Sequence, residues 1–292
     1  MIISFLSGGL GNQMFQFATA QALALRHGHQ LKVDPSYYRM YRQNRVFELA
    51  DVFHHRFETA STRDLTQVLG WKRFIHRNPS LRRFYRRLPG AGTWIVEPHY
   101  HFWPPLMQHQ RPCLLEGDWQ SPRYFQDFAK EVRACFNFRQ DSFNDGRLLE
   151  RIKKSNSVGI HLRRGDYVSN QHTLNYHGIC EADYYLQAIA LVRKREKQPE
   201  FFVFSDDIGA AKEVLKGESD LFFVEPDENR PNHFDMMLMS CCRHNIIANS
   251  TFSWWAAWLN ENPTKIVIAP QRWFAAGHLS DRDLIPTDWT RL

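Results

Sequence analysis

Arg163 and Arg164 follow the apolar run Ser157-Val158-Gly159-Ile160 and the pair His161-Leu162, and precede Gly165-Asp166. A guanidinium offers a planar fork of donors that matches phosphate oxygens in pairs and keeps its charge near neutral pH. Two of them at the end of a buried strand make a concentrated anion site; the competing reading is a surface ion pair between one arginine and Asp166. Phe204-Ser205-Asp206-Asp207 also closes an apolar run. Its aspartates could hold a divalent cation, accept hydrogen bonds from a base such as guanine, or simply cap the next helix through Ser205 or Asp206. A third cluster, Asn249-Ser250-Thr251-Phe252-Ser253, sets hydroxyls and amides at a helix start, where a phosphate is favoured.

The elements that must carry these clusters are legible from periodicity. Ile2 to Leu6 is a short apolar run that stops at Gly8-Gly9-Leu10-Gly11-Asn12-Gln13, and Met14, Phe15, Ala18, Ala22 and Leu25 then form one helical stripe to about Arg26. Leu31 to Asp34 predicts a second strand ended by Pro35, so the chain opens as a βαβ unit. The glycine loop lacks the Lys-Ser/Thr of a P-loop and the third glycine of G-x-G-x-x-G, although Asp34 stands where a ribose-binding acid would; nicotinamide-cofactor binding is a weak runner-up. Ser121-Pro122 predicts a helix start, the helix running to about Cys135. After a boundary within 140–154, strands at 157–162, 201–204, 221–224, 245–248 and 265–268 alternate with helices at 182–197, 210–216, 233–241 and 251–260. That alternation predicts a parallel sheet covered on both faces. The expectation is an α/β chain of two Rossmann-like domains, 1–145 and 146–292, with a cleft between them. The three clusters then lie at the carboxyl ends of strands in one sheet, as a nucleotide-sugar pocket requires.

With 43% hydrophobic and 23% charged residues the chain reads as an ordinary globular protein. The aromatic share of 14% fits either large cores or sugar-binding clefts. Five cysteines without a C-x-x-C argue against a disulfide framework or zinc ribbon and for a reducing compartment. The first residues form neither a signal peptide nor a membrane span, so a cytoplasmic location is expected. Trp71 to Leu88 holds seven Lys or Arg and no acid, with Leu81, Phe84, Tyr85 and Leu88 at helical spacing and Arg82, Arg83, Arg86 and Arg87 elsewhere on the turn. This reads equally as a peripheral contact with the cytoplasmic face of the inner membrane or as a solvated basic helix. No zinc pattern or RNA-binding signature accompanies it, so nucleic acid is not an expected partner. No H-E-x-x-H, G-x-S-x-G or closely spaced His/Cys set occurs, which lowers hydrolase and metalloenzyme readings.

Gly8 to Gln16, His161 to Tyr167, Phe204 to Asp207 and Asn249 to Trp255, together with Glu116 to Ser121 and His177 to Cys180, resemble the bacterial α-1,2-fucosyltransferases of glycosyltransferase family 11, in the family's order and over nearly the whole chain. The resemblance implies a GT-B-like fold, GDP-β-L-fucose as donor, inversion at the anomeric carbon and the 2-hydroxyl of a terminal galactose as acceptor, in O-antigen or other surface-polysaccharide synthesis. It implies that His161 and Asp206 or Asp207 face the guanine and that Arg163 and Arg164 hold the diphosphate with Asn249, Ser250, Thr251, Phe252 and Ser253 nearby. Gly9, Gly11, Asn12 and Gln13 would border the donor from the other domain. Arginines that stabilise the departing diphosphate make a metal unnecessary, so no metal or other cofactor is expected. Asp166 is a candidate general base or a brace for Arg163 or Arg164; Asp118, Trp119 and His177 are weaker acceptor-side candidates. Rival readings are a GT-B transferase with another donor or acceptor hydroxyl, and a non-catalytic carbohydrate-binding protein.

Overall fold

The computed structural model describes residues 1–41, 45–139, 146–164, 178–227, 230–275 and 279–292, apart from 86–92, and only the backbone of 83–85. The chain separates into two compact units, Met1–Arg139 with Arg282–Leu284, and Gln140–Asp281 with Ile285–Leu292.

The first unit begins with β1 (Ile2–Phe5), α1 (Leu10–His27) and β2 (Leu31–Asp34), the βαβ opening that the sequence predicts. Gly28 ends α1 in the left-handed region at φ 65°, and the amides of Gly28 and His29 close on the carbonyls of Leu25 and Ala24. Two further strands, β3 (Trp94–Val96) and β4 (Cys113–Glu116), complete a parallel sheet in the order β2-β1-β4-β3. Between β2 and β3 lie the short helices α2 (Ser36–Tyr41), α3 (Leu49–Val52), α4 (Thr62–Leu69), α5 (Arg73–His76) and α6 (Pro79–Tyr85). Ser61 and Asp64 start α4 with a reciprocal capping box.

One expectation is corrected here. The single helix expected from Pro122 is two 3-10 turns, Pro122–Tyr124 and Gln126–Phe128, followed by α7 (Ala129–Cys135). Ser121 does cap the start, accepting from the Arg123 amide, but Phe125 and Phe128 both take φ −124°, outside the helical well. In the basic segment the spacing sets Leu81 and Arg82 on different parts of the turn without saying which faces the core; Leu81 is 51% exposed and Arg82 is 3% exposed. Arg82 Nη2 pairs with Glu116 Oε2 at 2.9 Å, its guanidinium carbon lies 3.5 Å from the centre of the Phe5 ring, and Trp94 Nε1 donates to the same Glu116 oxygen at 2.9 Å. A paired and stacked guanidinium outweighs the helical apolar stripe.

The second unit holds α8 (Gly146–Lys154), β5 (Ser157–Leu162), α9 (Ala182–Arg195), β6 (Glu200–Ser205), α10 (Ile208–Val214), β7 (Leu221–Phe223), α11 (His233–Ser240), β8 (His244–Ile246), α12 (Thr251–Leu259), β9 (Val267–Ala269) and β10 (Thr290–Arg291). The five expected strands and the short β10 form one parallel sheet in the order β10-β9-β8-β5-β6-β7. All six residues of β5 are buried, as a central strand covered on both faces requires. Trp254 and Trp255 of α12 are fully buried, and Trp254 packs on Trp289 at 5.5 Å between ring centroids, so this part of the aromatic content is core. Residues 282–284 return to the first unit, where Asp283 pairs with Arg123 at 2.9 Å and accepts from the Phe102 amide at 3.1 Å.

Candidate functional site

Strand order fixes where a ligand can sit in the second unit. From β5 the chain moves to β6 and β7 on one side and then crosses to β8 on the other, so the topological switch lies between β5 and β8. In an open parallel sheet the connections leaving such a pair diverge, and a crevice opens at the strands' carboxyl ends. His161 to Arg164 end β5, Ser205 to Asp207 end neighbouring β6, and Asn249 to Ser253 follow β8. The His161 and Phe252 rings meet at 5.7 Å across the switch.

One carboxylate organises the arginines. Asp206 Oδ2 lies 3.1 Å from Arg163 Nε, each side chain a quarter exposed, and Asp206 Oδ1 accepts from the Arg164 backbone amide at 2.9 Å. Arg164 Nη2 donates to the Cys180 carbonyl at 3.4 Å. Asp206 therefore performs the bracing that the sequence reading offered to Asp166, which lies outside the described residues, as does His177. Asp207 is the helix cap, its Oδ1 accepting from the Ala210 amide at 2.9 Å, rather than Ser205 or Asp206.

The other members divide between donors and supports. His161 is buried, and burial, followed by the nearby Arg163 charge, pushes its pKa well below the usual histidine range. Its imidazole is neutral at pH 7, and Nδ1 has no hydrogen-bond partner among the described residues. Asn249 is a clamp: Nδ2 lies 3.3 Å from the carbonyls of Gly178 and Trp273, and Oδ1 accepts from Cys180 Sγ at 3.6 Å. Ser253 Oγ faces the Ser250 and Ala248 carbonyls at 3.3 and 3.4 Å, so it supports the turn rather than projecting from it. Ser250 and Thr251 open α12, whose N-terminal amides and dipole favour an anion.

The sheet of the first unit has its own switch, between β1 and β4. The glycine loop follows β1 and Gly117 to Gln120 follow β4, and Gln120 Nε2 donates to Asn12 Oδ1 at 3.4 Å. Gly8 is left-handed at φ 74°, and a Cβ on Gly9 would collide with the Arg45 guanidinium, so the sequence reading missed a cation beside this loop. Gly11 is buried within the first turn of α1. Gln13 is fully buried and is a scaffold residue: Nε2 donates to the Val46 carbonyl at 2.9 Å and Oε1 accepts from the Glu48 amide at 3.0 Å. Trp119, the acceptor-side candidate beside Asp118, is 1% exposed, and its indole packs edge-on against Tyr124. Asp118 remains partly exposed. Glu97, also missed, accepts the Asp118 and Trp119 amides at 2.6 and 3.0 Å on Oε2; burial, then the Asp118 charge, raises its pKa to about 8.

A family profile described as "Glycosyl transferase family 11" matches residues 106–292, which takes in all three strand-end clusters. An α-1,2-colitosyltransferase of Escherichia coli is 32% identical over 306 aligned positions, covering 100% of this chain and 99% of that protein. The chain belongs to glycosyltransferase family 11. The O-antigen biosynthesis glycosyltransferase WbnK of Escherichia coli is 31% identical to this family 11 protein, with 95% and 96% coverage. A galactoside 2-α-L-fucosyltransferase of Bos taurus is 27% identical over 86% of the chain, which spans 62% of that protein's length. Among solved structures, the α-1,6-fucosyltransferase NodZ soaked with GDP-fucose superposes with a TM-score of 0.51 at 16% identity, covering 88% of this chain and 91% of NodZ. Arabidopsis thaliana FUT1 in complex with GDP gives 0.53 at 13% identity, with 91% and 69% coverage. These likenesses establish the expected GT-B-like fold for the family 11 chain.

Proposed function

We propose that this glycosyltransferase moves L-fucose from GDP-β-L-fucose to the 2-hydroxyl of a terminal galactose, with inversion, during synthesis of an O-antigen or another surface polysaccharide. The observation that carries the reading is the Arg163–Asp206–Arg164 arrangement beside the start of α12 at the β5/β8 switch. In the reaction the galactose oxygen forms a bond to the anomeric carbon as the carbon–oxygen bond to the diphosphate breaks. GDP leaves with the electron pair, and the hydroxyl proton passes to a base, for which Asp166 is retained as candidate. Arg163, Arg164 and the α12 amides would hold the diphosphate and stabilise the charge that builds on it, so the reading needs no metal. His161 and Asp206 or Asp207 would lie toward the guanine, and the first unit would receive the acceptor, with Asp118 the exposed candidate there. The O-antigen name of one relative and the galactoside fucosyltransferase name of another support this assignment. A cytoplasmic location belongs to the same reading; no helix among the described residues is long and apolar enough to cross a membrane.

A second donor is favoured by one observation, the full-length similarity to a colitosyltransferase. Colitose is L-fucose without its 3-hydroxyl. A site that hydrogen-bonds that hydroxyl rejects the deoxy sugar by about 10⁴-fold, whereas an apolar site does not. The test is transfer from GDP-fucose and, separately, GDP-colitose to lactose and other galactosides in excess EDTA, with the linkage read by NMR. An α-1,2-fucosyl product supports the proposal. Exclusive use of GDP-colitose would overturn the donor assignment. Glycan binding with no GDP affinity and no transfer would establish the carbohydrate-binding alternative.

A further inference from the structure

Beyond the transfer reaction, we propose that the first unit docks peripherally on an anionic lipid surface through the face carrying Trp71, Phe74 and Leu81. These side chains are 68%, 62% and 51% exposed, and of the large apolar residues described elsewhere only Val46 is more than half exposed. Single exposed apolar residues are ordinary on a protein surface, but three fall within eleven positions of one basic segment whose helices α5 and α6 pack against each other. Trp71 and Phe74 are three positions apart across consecutive helical turns, Gly70–Lys72 and α5, so they share a face.

The segment's charge selects the occupant. Lys72, Arg73 and Arg77 alternate with the apolar side chains, and Trp71 to Leu88 contains no acid. The Arg73 guanidinium carbon sits 4.2 Å from the Phe74 ring centre, and Arg77 donates to Thr62 Oγ1 at 2.8 Å. The one acid of α4, Asp64, is engaged by Ser61 and by Lys32 at 2.9 Å. Trp and Phe at the headgroup level with cations around them is the combination that holds a protein on an anionic membrane without crossing it.

The patch is held outward by what lies beneath it. His76 is completely buried and its Nε2 lies 2.6 Å from Asp34 Oδ2, while Arg82 pairs with Glu116 of β4, both side chains buried. Ile75 packs on the cluster formed by Ile3, Phe5, Leu65 and Trp94. With Ile75, His76 and Arg82 engaged in these contacts, the exposed residues cannot turn into the core without breaking the buried His76–Asp34 contact and the Arg82–Glu116 ion pair.

The test is flotation of the purified full chain with vesicles of phosphatidylcholine containing about 30 mol% phosphatidylglycerol, whose negative surface potential attracts basic segments, and with vesicles of phosphatidylcholine alone. The chain should bind the anionic vesicles at least about tenfold better and lose most of that preference on raising salt, because each nearby basic side chain strengthens binding about fivefold. The pairs W71S/F74S and K72E/R73E should each weaken binding about tenfold or more while leaving thermal melting and GDP binding unchanged. Equal binding to both vesicles, no binding to either, or variants that bind like the parent would overturn the proposal. Self-association abolished by W71S/F74S, without vesicle binding, would overturn it in favour of a second copy of the chain.

Discussion

Replacing Asp206 with Asn tests whether this residue works through Arg163 or directly on the nucleotide. The substitution keeps the side chain's shape and an oxygen that can accept the Arg164 amide, now 2.9 Å away, but removes the charge that faces Arg163 Nε at 3.1 Å. Coulomb's law at that separation gives about 1.3 kcal/mol in bulk water and about 5 kcal/mol at a surface-like dielectric of about 20. Both groups are a quarter exposed, so solvent screening brings the expected stability loss to about 1 kcal/mol. Removing the guanidinium itself by Arg163→Ala should lower kcat by about 10²- to 10³-fold, the usual cost of deleting a preorganised donor to developing charge. Asp206→Asn leaves the guanidinium but loosens it, for an expected loss of about tenfold in kcat/KM, or about 1.4 kcal/mol. Initial rates of GDP release should be measured for both single variants and the double variant, with GDP affinity and thermal melting alongside. If Asp206 acts through Arg163, Asp206→Asn should cost less than about threefold in the Arg163→Ala background. A full tenfold loss in both backgrounds would refute this positioning role and return Asp206 to direct recognition of the base.

Two further expectations concern stability. Arg82→Ala strands the Glu116 carboxylate in a site where both partners are at most 6% exposed, and should destabilise the chain by about 3 kcal/mol, since Trp94 still donates to Glu116; a urea unfolding shift below about 1 kcal/mol would contradict the anchoring role. His161 is held neutral by burial, so the unfolded chain binds the proton first as pH falls through about 6.5. The stability from this site is therefore complete above about pH 6.5 and declines below it by up to about 1.4 kcal/mol per pH unit. His161→Gln should flatten the acid limb of the stability curve by that amount, and an unchanged slope would show that the imidazole is not protected.

Much of the site was legible because its chemistry sits in contiguous runs. The Arg163-Arg164 pair, the Asp206-Asp207 pair and the Asn249 to Ser253 run each follow an apolar strand, and strand ends are where parallel sheets present ligands. What could not be read was each residue's assignment within its cluster. Which of two adjacent aspartates caps a helix depends on the helix's first turn, which begins at Ile208 and so selects Asp207. Glu97 and Arg45 escaped notice because neither belongs to a run; β3 and the segment after α2 bring them to the loops they touch.

The linear order of apolar runs, glycine turns and helix starts determined the α/β class, the βαβ opening, the five alternating strands of the second unit and the positions of the three clusters, because each is a property of neighbouring residues. Tertiary structure decided what depends on distant partners. It made Asp206, 42 positions from Arg164, the brace for both arginines. It also sent Arg82 inward and left Leu81 outside, since Glu116, 34 residues later, supplies a buried counter-charge that no helical period encodes.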